Sequence, residues 1–262
     1  MAKEDVGKEL LAVQRRERIL ELIQEEGSAR VRILSSLFKV SEPTIRQDLE
    51  KLEGDGFVTR EHGGAFLRTM PQQVGSLTLQ HMENLDKKIL IAKKASQFVS
   101  PGNRIILDSG STISELAKCL VSVENLTVIT NALNIALTIG TNPTCQLLVT
   151  GGEFKAPTLS LTGEKAAFFF RNLYVDKLFL ATGGISPTFE LTYPGFSDIV
   201  VKNSMIEVAR ETYLLADSTK FGKASFASLG SIRCVNYLIT DDGIDPAIAK
   251  AIAAMGVKVI IA

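Results

Sequence analysis

Apolar residues recur at helical spacing near the start of the chain and in short solid blocks through the rest. Ile19, Leu22 and Ile23 share one helical face, which Gly27 brings to a stop. Val31, Leu34, Leu37 and Phe38 predict a second short amphipathic helix, followed by the connector Phe38-Lys-Val-Ser41. Ser41 is a good N-cap for a third helix from about Glu42 to Glu53, and Pro43 falls in its first turn, where a missing N–H costs little. That helix is expected to bury Ile45, Leu49 and Leu52 and to leave Thr44, Arg46, Gln47 and Lys51 outside. Gly54-Asp-Gly56 ends it. Phe57–Arg60 and Ala65–Leu67 then flank Glu-His-Gly-Gly, the pattern of a β-hairpin. Residues 1–70 therefore read as a winged helix-turn-helix. Its third helix suits a DNA major groove, and its hairpin suits backbone or minor groove.

Residues 71–85 lack a strong period and read as a linker. From Asp86 to residue 262 the pattern becomes alternating strands and helices. Strands are expected near Arg104–Asp108, Leu126–Thr130, Gln146–Thr150, Lys177–Thr182, Tyr213–Asp217, Val235–Thr240 and Val257–Ile261. Helices are expected at Ser111–Leu120, Asn131–Ile139, Lys202–Ala209 and Pro246–Met255. Strands that are nearly all apolar, separated by helices, predict a parallel sheet covered on both faces. The fold class is α/β, with a small N-terminal domain ahead of a larger parallel-sheet domain.

Composition narrows the function. The chain has 262 residues, with 29 Lys plus Arg against 29 Asp plus Glu, which excludes a protein that coats nucleic acid by bulk charge. Residues 1–70 carry 12 basic and 13 acidic side chains, so charge alone does not favour DNA there either. Placement does: Thr44, Arg46 and Gln47 cluster in the N-terminal half of the third helix, the part that meets base edges. Three short helices and a hairpin also suit a plain structural module, and the residues by themselves leave both readings open. Cys119, Cys145 and Cys234 are odd in number and far apart, and with two histidines they form neither a zinc spacing nor a disulfide framework. Reduced thiols, no signal-peptide pattern and no apolar run near ~20 residues place the expected protein in the cytoplasm, without a membrane partner, metal or cofactor.

Six of the seven predicted strands end in small polar or acidic residues: Asp108-Ser-Gly-Ser-Thr112, Thr130-Asn131, Thr150-Gly-Gly152, Thr182-Gly-Gly184, Asp217-Ser-Thr-Lys220 and Thr240-Asp-Asp-Gly243. A parallel sheet gathers such ends on one edge, where open α/β sheets bind ligands. Ser109, Gly110, Ser111 and Thr112 run straight into a helix whose free N–H groups suit an anion. Lys220 supplies a full positive charge, and Asp108, Asn131 and Asp217 suit hydroxyl groups. The expected ligand is a phosphorylated polyol. Small polar residues also simply finish strands and cap helices, so no single loop decides the matter. Nucleotide signatures are missing: neither G-x-x-x-x-G-K-[ST] nor G-x-G-x-x-G after the first strand occurs. The competing reading of the pocket is an isomerase or deaminase of sugar phosphates with an accessory N-terminal domain. Against it, His62 falls in the hairpin and His81 in the linker, and no catalytic pair stands out, so no catalytic residue is assigned.

Val40-Ser-Glu-Pro-Thr-Ile-Arg-Gln-Asp-Leu-Glu-Lys-Leu52 and Arg60-Glu-His-Gly-Gly-Ala65 resemble the DNA-binding domain of the DeoR family of bacterial transcriptional regulators. The resemblance continues through Lys88-Ile-Leu-Ile-Ala92, Asp108-Ser-Gly-Ser-Thr112, Thr130-Asn131, Gly151-Gly152, Leu161-Thr-Gly163, Gly183-Gly-Ile185 and Ala216-Asp-Ser-Thr-Lys-Phe-Gly222. It implies a repressor of sugar or polyol catabolic genes, with an effector domain similar in fold to sugar-phosphate isomerases. It implies DNA contacts from Ser41, Glu42, Pro43, Thr44, Arg46, Gln47 and Lys51, and from Arg60, His62, Gly63 and Gly64 of the wing. For the effector it implies Asp108, Ser109, Gly110, Ser111, Thr112, Asn131, Gly151, Gly152, Gly183, Asp217 and Lys220. The partners it implies are double-stranded operator DNA, a phosphorylated sugar and further copies of the chain, as a homo-oligomer (dimer or tetramer). Gln47 stands where the family often has arginine, which shifts base preference from guanine toward adenine. Ser111 for the usual threonine keeps a hydroxyl, and Val200 stands where a glutamate is common two positions before Lys202.

Overall fold

The computed structural model describes residues 12, 15–20, 22–23, 28–55, 57–61, 63–67 and 83–262. The chain divides into two compact units, residues 1–83 and 84–262.

In the first unit, residues 15–20 and 22–23 are helical and bury Ile19 and Ile23 completely. Strand β1 (Ser28–Arg30) precedes helices α1 (Val31–Phe38) and α2 (Glu42–Gly54), and strands β2 (Val58–Glu61) and β3 (Gly64–Leu67) follow. Lys39, with φ of 53°, caps α1, and Ser41 caps α2 by accepting from Thr44 N at 3.3 Å. Two connecting residues beyond the left-handed cap give the tight corner of a helix-turn-helix. The sheet order is β1-β3-β2, antiparallel throughout, so the expected hairpin carries a third strand. Ile19, Ile23, Val31, Leu34, Ile45, Leu49, Leu52, Val58 and Ala65 form the core. One expectation is corrected: Leu37 is not part of that face and is 58% exposed, because Val31 and Leu34 with half-buried Phe38 already complete the buried stripe of so short a helix.

The second unit is built on a seven-stranded parallel sheet. Its strands are β4 (Arg104–Leu107), β5 (Thr127–Thr130), β6 (Gln146–Val149), β9 (Val175–Ala181), β12 (Ala209–Leu215), β14 (Tyr237–Thr240) and β15 (Lys258–Ile261), in the order β15-β14-β12-β9-β4-β5-β6. The strands are apolar because both faces are covered. Leu178 and Leu180 of β9 enter one core and Phe179 enters the other, the period of two that a pleated strand imposes. Helices α3 (Leu85–Ser96), α4 (Ser111–Leu120) and α5 (Leu133–Ile139) close one face through Ile91, Ala95, Ile113, Leu116 and Ile135. Helices α6 (Glu164–Phe169), α7 (Phe196–Val208) and α8 (Pro246–Ala254) close the other through Ala166, Val201, Met205 and Ile252. Two smaller sheets sit beyond the strand ends: β7 (Glu153–Lys155) with β8 (Ser160–Thr162), and β10 (Gly184–Ile185), β11 (Glu190–Tyr193) and β13 (Ala227–Ser231). Helix α7 starts at Phe196, directly after Pro194-Gly195, rather than at Lys202, and β12 starts at Ala209 rather than Tyr213. Among the described residues, no helix is long and apolar enough to cross a membrane.

Candidate functional site

The strand order reverses between β9 and β4: later strands lie on one side, β5 and β6 on the other. Such a switch point opens a crevice at the C-terminal ends of the strands. There β4 leads into Asp108-Ser-Gly-Ser and the first turn of α4. Gly110 has φ of 151°, and a Cβ on it would lie 2.7 Å from the Cβ of Ala181, so the close approach of this loop to the end of β9 requires glycine. The loop is thereby pressed into the switch point, with Ser109 and Thr112 nearly buried and Ser111 half-buried.

Asp108 is fully buried and held by two long-range donors. Lys202 Nζ on α7 donates to its two oxygens at 2.7 and 2.8 Å, and Ala181 N donates to Oδ2 at 3.0 Å. Lys202 is itself buried and lies 4.9 Å over the ring of Tyr193, whose hydroxyl donates to Ala181 O at 2.8 Å. Burial, with the Asp108 charge next in weight, holds the Tyr193 phenol well above its ordinary pKa, so it stays a neutral donor. One turn before Lys202, Asp198 pairs with Lys155 of β7. The floor of the crevice is thus an ion-paired scaffold tying β4, β9, α7 and the β7–β8 hairpin together.

The other residues picked from the sequence flank this floor. Asn131, at the end of β5, donates from Nδ2 to Leu161 O at 3.1 Å, while its buried Oδ1 has no partner. Gly152 packs against Thr162 and Ala166, Gly151 is exposed beside it, and Gly183 is exposed after β9. On the far side, Asp217 is fully buried and accepts from Thr219 N and Oγ1, leaving Oδ2 unpartnered. Lys220 closes the short 3₁₀ turn Ser218–Lys220; its half-exposed ammonium makes no hydrogen bond or ion pair among the described residues. From β12 to β6 these residues cover four interstrand gaps, roughly 19 Å, so Asp217 and Lys220 do not share one small pocket with Gly151 and Gly152.

In the first unit, Ser41, Pro43, Arg46, Gln47 and Lys51 are exposed on α2, with Glu42 and Thr44 half-exposed. Arg46 pairs with Glu42 at 3.0 Å, an exposed i,i+4 contact of less than about 1 kcal/mol that a base edge can displace. Arg60 is more committed: its Nε meets Glu53 Oε2 at 2.6 Å, and its backbone N–H donates to the same carboxylate, tying the wing to α2. Gly63 lies in the hairpin turn, Gly64 opens β3 opposite Glu61, and His62 lies outside the described residues. Asp48 is buried and bonded to Arg15 Nε at 2.6 Å, so this acid of α2 does not face a polyanion.

Sequence reasoning left Lys202, Lys155, Asp198, Tyr193, Asn84 and Lys87 out of the site. Their partners are up to 135 residues away, and only the acidic and basic residues in otherwise apolar helices hinted at them.

A model of the DeoR C terminal sensor domain matches residues 83–242, and one of the DeoR-like helix-turn-helix domain matches residues 15–70. The chain is similar to the uncharacterized HTH-type transcriptional regulator YulB of Bacillus subtilis, with 36% identity over 95% of this chain and 96% of that protein. It is similar to the putative aga operon transcriptional repressor of Escherichia coli O157:H7, with 31% identity over 95% of this chain and 93% of that protein. It is also 33% identical to the lactose phosphotransferase system repressor of Streptococcus mutans, over 87% of this chain and 91% of that protein. Among solved structures, a ribose 5-phosphate isomerase A from Methanocaldococcus jannaschii matches 53% of this chain and 55% of its own, at 18% identity and a TM-score of 0.39.

Proposed function

Because the chain belongs to the DeoR family of transcriptional regulators, we propose that it represses genes of sugar or polyol catabolism and that a phosphorylated sugar modulates its hold on operator DNA. The exposed face of α2 carries the base readout: Arg46 toward guanine, Gln47 toward adenine and Lys51 toward phosphate, with Ser41, Thr44 and the wing fixing register. Two winged domains matched to a two-fold site read more sequence than one, so the active form is a homo-oligomer. The relatives named above are regulators, and the chain is read as a regulator and not an enzyme.

One observation carries the ligand half of this reading. Among the described residues, five buried side-chain oxygens lack a hydrogen-bond partner, and four of them stand at the C-terminal ends of sheet strands: Asn131 Oδ1, Thr150 Oγ1, Asp217 Oδ2 and Thr240 Oγ1. A buried polar atom left unpaired costs about 1–3 kcal/mol; Asn131 Oδ1 and Asp217 Oδ2, on either side of the switch point, favour a hydroxyl-rich ligand there, while Thr240 and Thr150 lie further out on β14 and β6. The phosphate belongs at Ser109–Thr112, on the N–H groups that open α4, with the uncompensated Lys220 two strands away, after β12, as the candidate positive charge. Hydroxyls belong toward Asn131 on one flank and Asp217 on the other. Lys202 takes no direct part, because Asp108 already occupies its ammonium.

The test is a fluorescence-anisotropy titration of the full chain against DNA from upstream of its own gene cluster, at fixed salt, with a scrambled duplex as control. Specific binding that one sugar phosphate changes and the free sugar does not is the expected result. Equal affinity for scrambled DNA, with turnover of a sugar phosphate, overturns it in favour of an isomerase.

A further inference from the structure

The point where the chain enters the second unit is bonded to the loops that follow β12 and β14. Asn84, the first residue of that unit, sits at φ 54° and donates from Nδ2 to Thr219 Oγ1 at 3.1 Å and to Asp217 Oδ1 at 3.4 Å. One helical turn later, Lys87 donates to Ser218 Oγ at 2.6 Å and pairs with Asp241 Oδ2 at 2.8 Å. Asp241, 1% exposed, completes the knot by accepting from Ser218 N at 2.6 Å and from Gly243 N at 3.1 Å. The knot leaves no room for a side chain at residue 243. A Cβ there would lie 2.7 Å from Ser218 Oγ, 2.8 Å from Asp241 Oδ2 and 3.0 Å from Lys87 Nζ.

The turn held in this way, Ser218–Lys220, is also the turn that presents the uncompensated Lys220 and follows the half-satisfied Asp217. Ser218 and Thr219 bond to the helix start and the unpaired Lys220 follows them directly, so the turn cannot move without pulling on Asn84 and Lys87. Asn84 is in turn bonded to Glu83, the last residue of the first unit, so the latch sits where the chain passes from one unit into the other.

We propose that Asn84 and Lys87 form a latch that passes ligand occupancy at the Ser218–Lys220 turn to the residues joining the sensor unit to the DNA-binding unit. They are positioning residues, and this role rests on the reading above that the strand-end edge takes a sugar phosphate. The latch holds turn and helix start in one arrangement, and a ligand that prefers the turn displaced shifts the helix start with it. Contiguity alone does not establish coupling, so the experiment perturbs the latch and reads both of its ends.

Hydrogen exchange of the full chain is followed by mass spectrometry with ribose 5-phosphate, glucose 6-phosphate, fructose 6-phosphate and fructose 1-phosphate as probes. In the parent, an effective probe changes exchange in residues 214–222 and 83–90 together. In Lys87→Met and, more mildly, Asn84→Ala, residues 214–222 still respond while the response of 83–90 is lost, and Lys87→Arg restores it. Operator affinity gives the second readout. A probe effect of the ordinary allosteric size, about 5–150-fold in the parent, collapses to within about twofold of unity in Lys87→Met. An unchanged 83–90 response in both latch variants overturns the proposal while leaving the ligand reading intact. Silence of both segments toward every probe in the parent overturns the ligand reading and the latch with it.

Discussion

The buried pair between Asp108 and Lys202 makes the sharpest demand on the fold. Its oxygen–nitrogen distances of 2.7 and 2.8 Å correspond to an attraction of roughly 6 kcal/mol at an effective dielectric near 20. Desolvation of two ions costs several kcal/mol each, so the pair as a whole contributes little net stability. Removing one partner is different, because the survivor stays buried without compensation. Lys202→Met is expected to cost about 3–5 kcal/mol, which for a domain of this size lowers its melting temperature by roughly 6–20 °C. Asp108→Asn leaves the lysine charge stranded under Tyr193 and costs a similar amount. The double variant removes both charges, so its loss falls short of the sum of the singles by on the order of 3 kcal/mol. The chain has no tryptophan, so urea unfolding is followed by far-UV circular dichroism and calorimetry. Only the sensor transition should move, and operator binding reports that the first unit stays folded. Costs that add to within about 0.5 kcal/mol would refute the reasoning, since independent sites add and a buried ion pair cannot.

Four other outcomes follow from the same geometry. Arg46→Ala should cost about 1–3 kcal/mol of operator binding and relax specificity, read by anisotropy against single-base operator variants; unchanged affinity and specificity would remove Arg46 from the base readout. Lys220→Ala should weaken the response to phosphorylated sugars while DNA affinity stays near the parent's; an inducer titration that overlays the parent's would end the phosphate role. Gly110→Ala should destabilise the sensor unit by more than the ~1–3 kcal/mol of backbone strain alone, because a Cβ at φ 151° meets the Ala181 Cβ at 2.7 Å; a melting curve matching the parent's would contradict this. For Asp241, burial raises the carboxyl pKa, but Lys87, Ser218 and Gly243 together outweigh burial and hold it below the ordinary 3.8. The folded form therefore binds its proton less readily than the unfolded form. Its stabilisation is complete above that value and is lost as pH falls through the lowered one. Asp241→Asn should flatten the stability–pH curve in that acid window, and an unaltered slope in urea midpoints would contradict the assignment.

The parts of this fold that were legible are those whose cause is local. Blocks such as Arg104–Leu107 and Tyr237–Thr240 announce themselves as strands because a parallel sheet buried on both faces needs continuous apolar residues. Ser41 and Pro43 announce α2 because capping and first-turn chemistry are read within four residues. By contrast, β10 is Gly184–Ile185 and β13 is Ala-Ser-Leu-Gly-Ser, sequences with little strand preference, held by their partners across β11. The start of α7 was hidden for a related reason: Pro194-Gly195 reads as a loop, and the polar Ser197 and Asp198 mask a helix whose acid is spent on Lys155.

The same division runs through the candidate site. Gathering polar strand ends on one edge is a consequence of parallel topology, so the edge could be found without coordinates. How each polar group is spent could not. Asp108 and Asp217 follow their strands in the same kind of local sequence, yet Asp108 meets a lysine 94 residues further on and has both oxygens occupied. Asp217 meets only short side chains and a backbone N–H and keeps one buried oxygen unpaired. Two carboxylates that look alike in the sequence therefore divide into one that holds the sheet ends together and one that keeps an oxygen unpaired. What divides them is the long-range contact from Lys202 on α7, a helix whose first turns no local signal revealed.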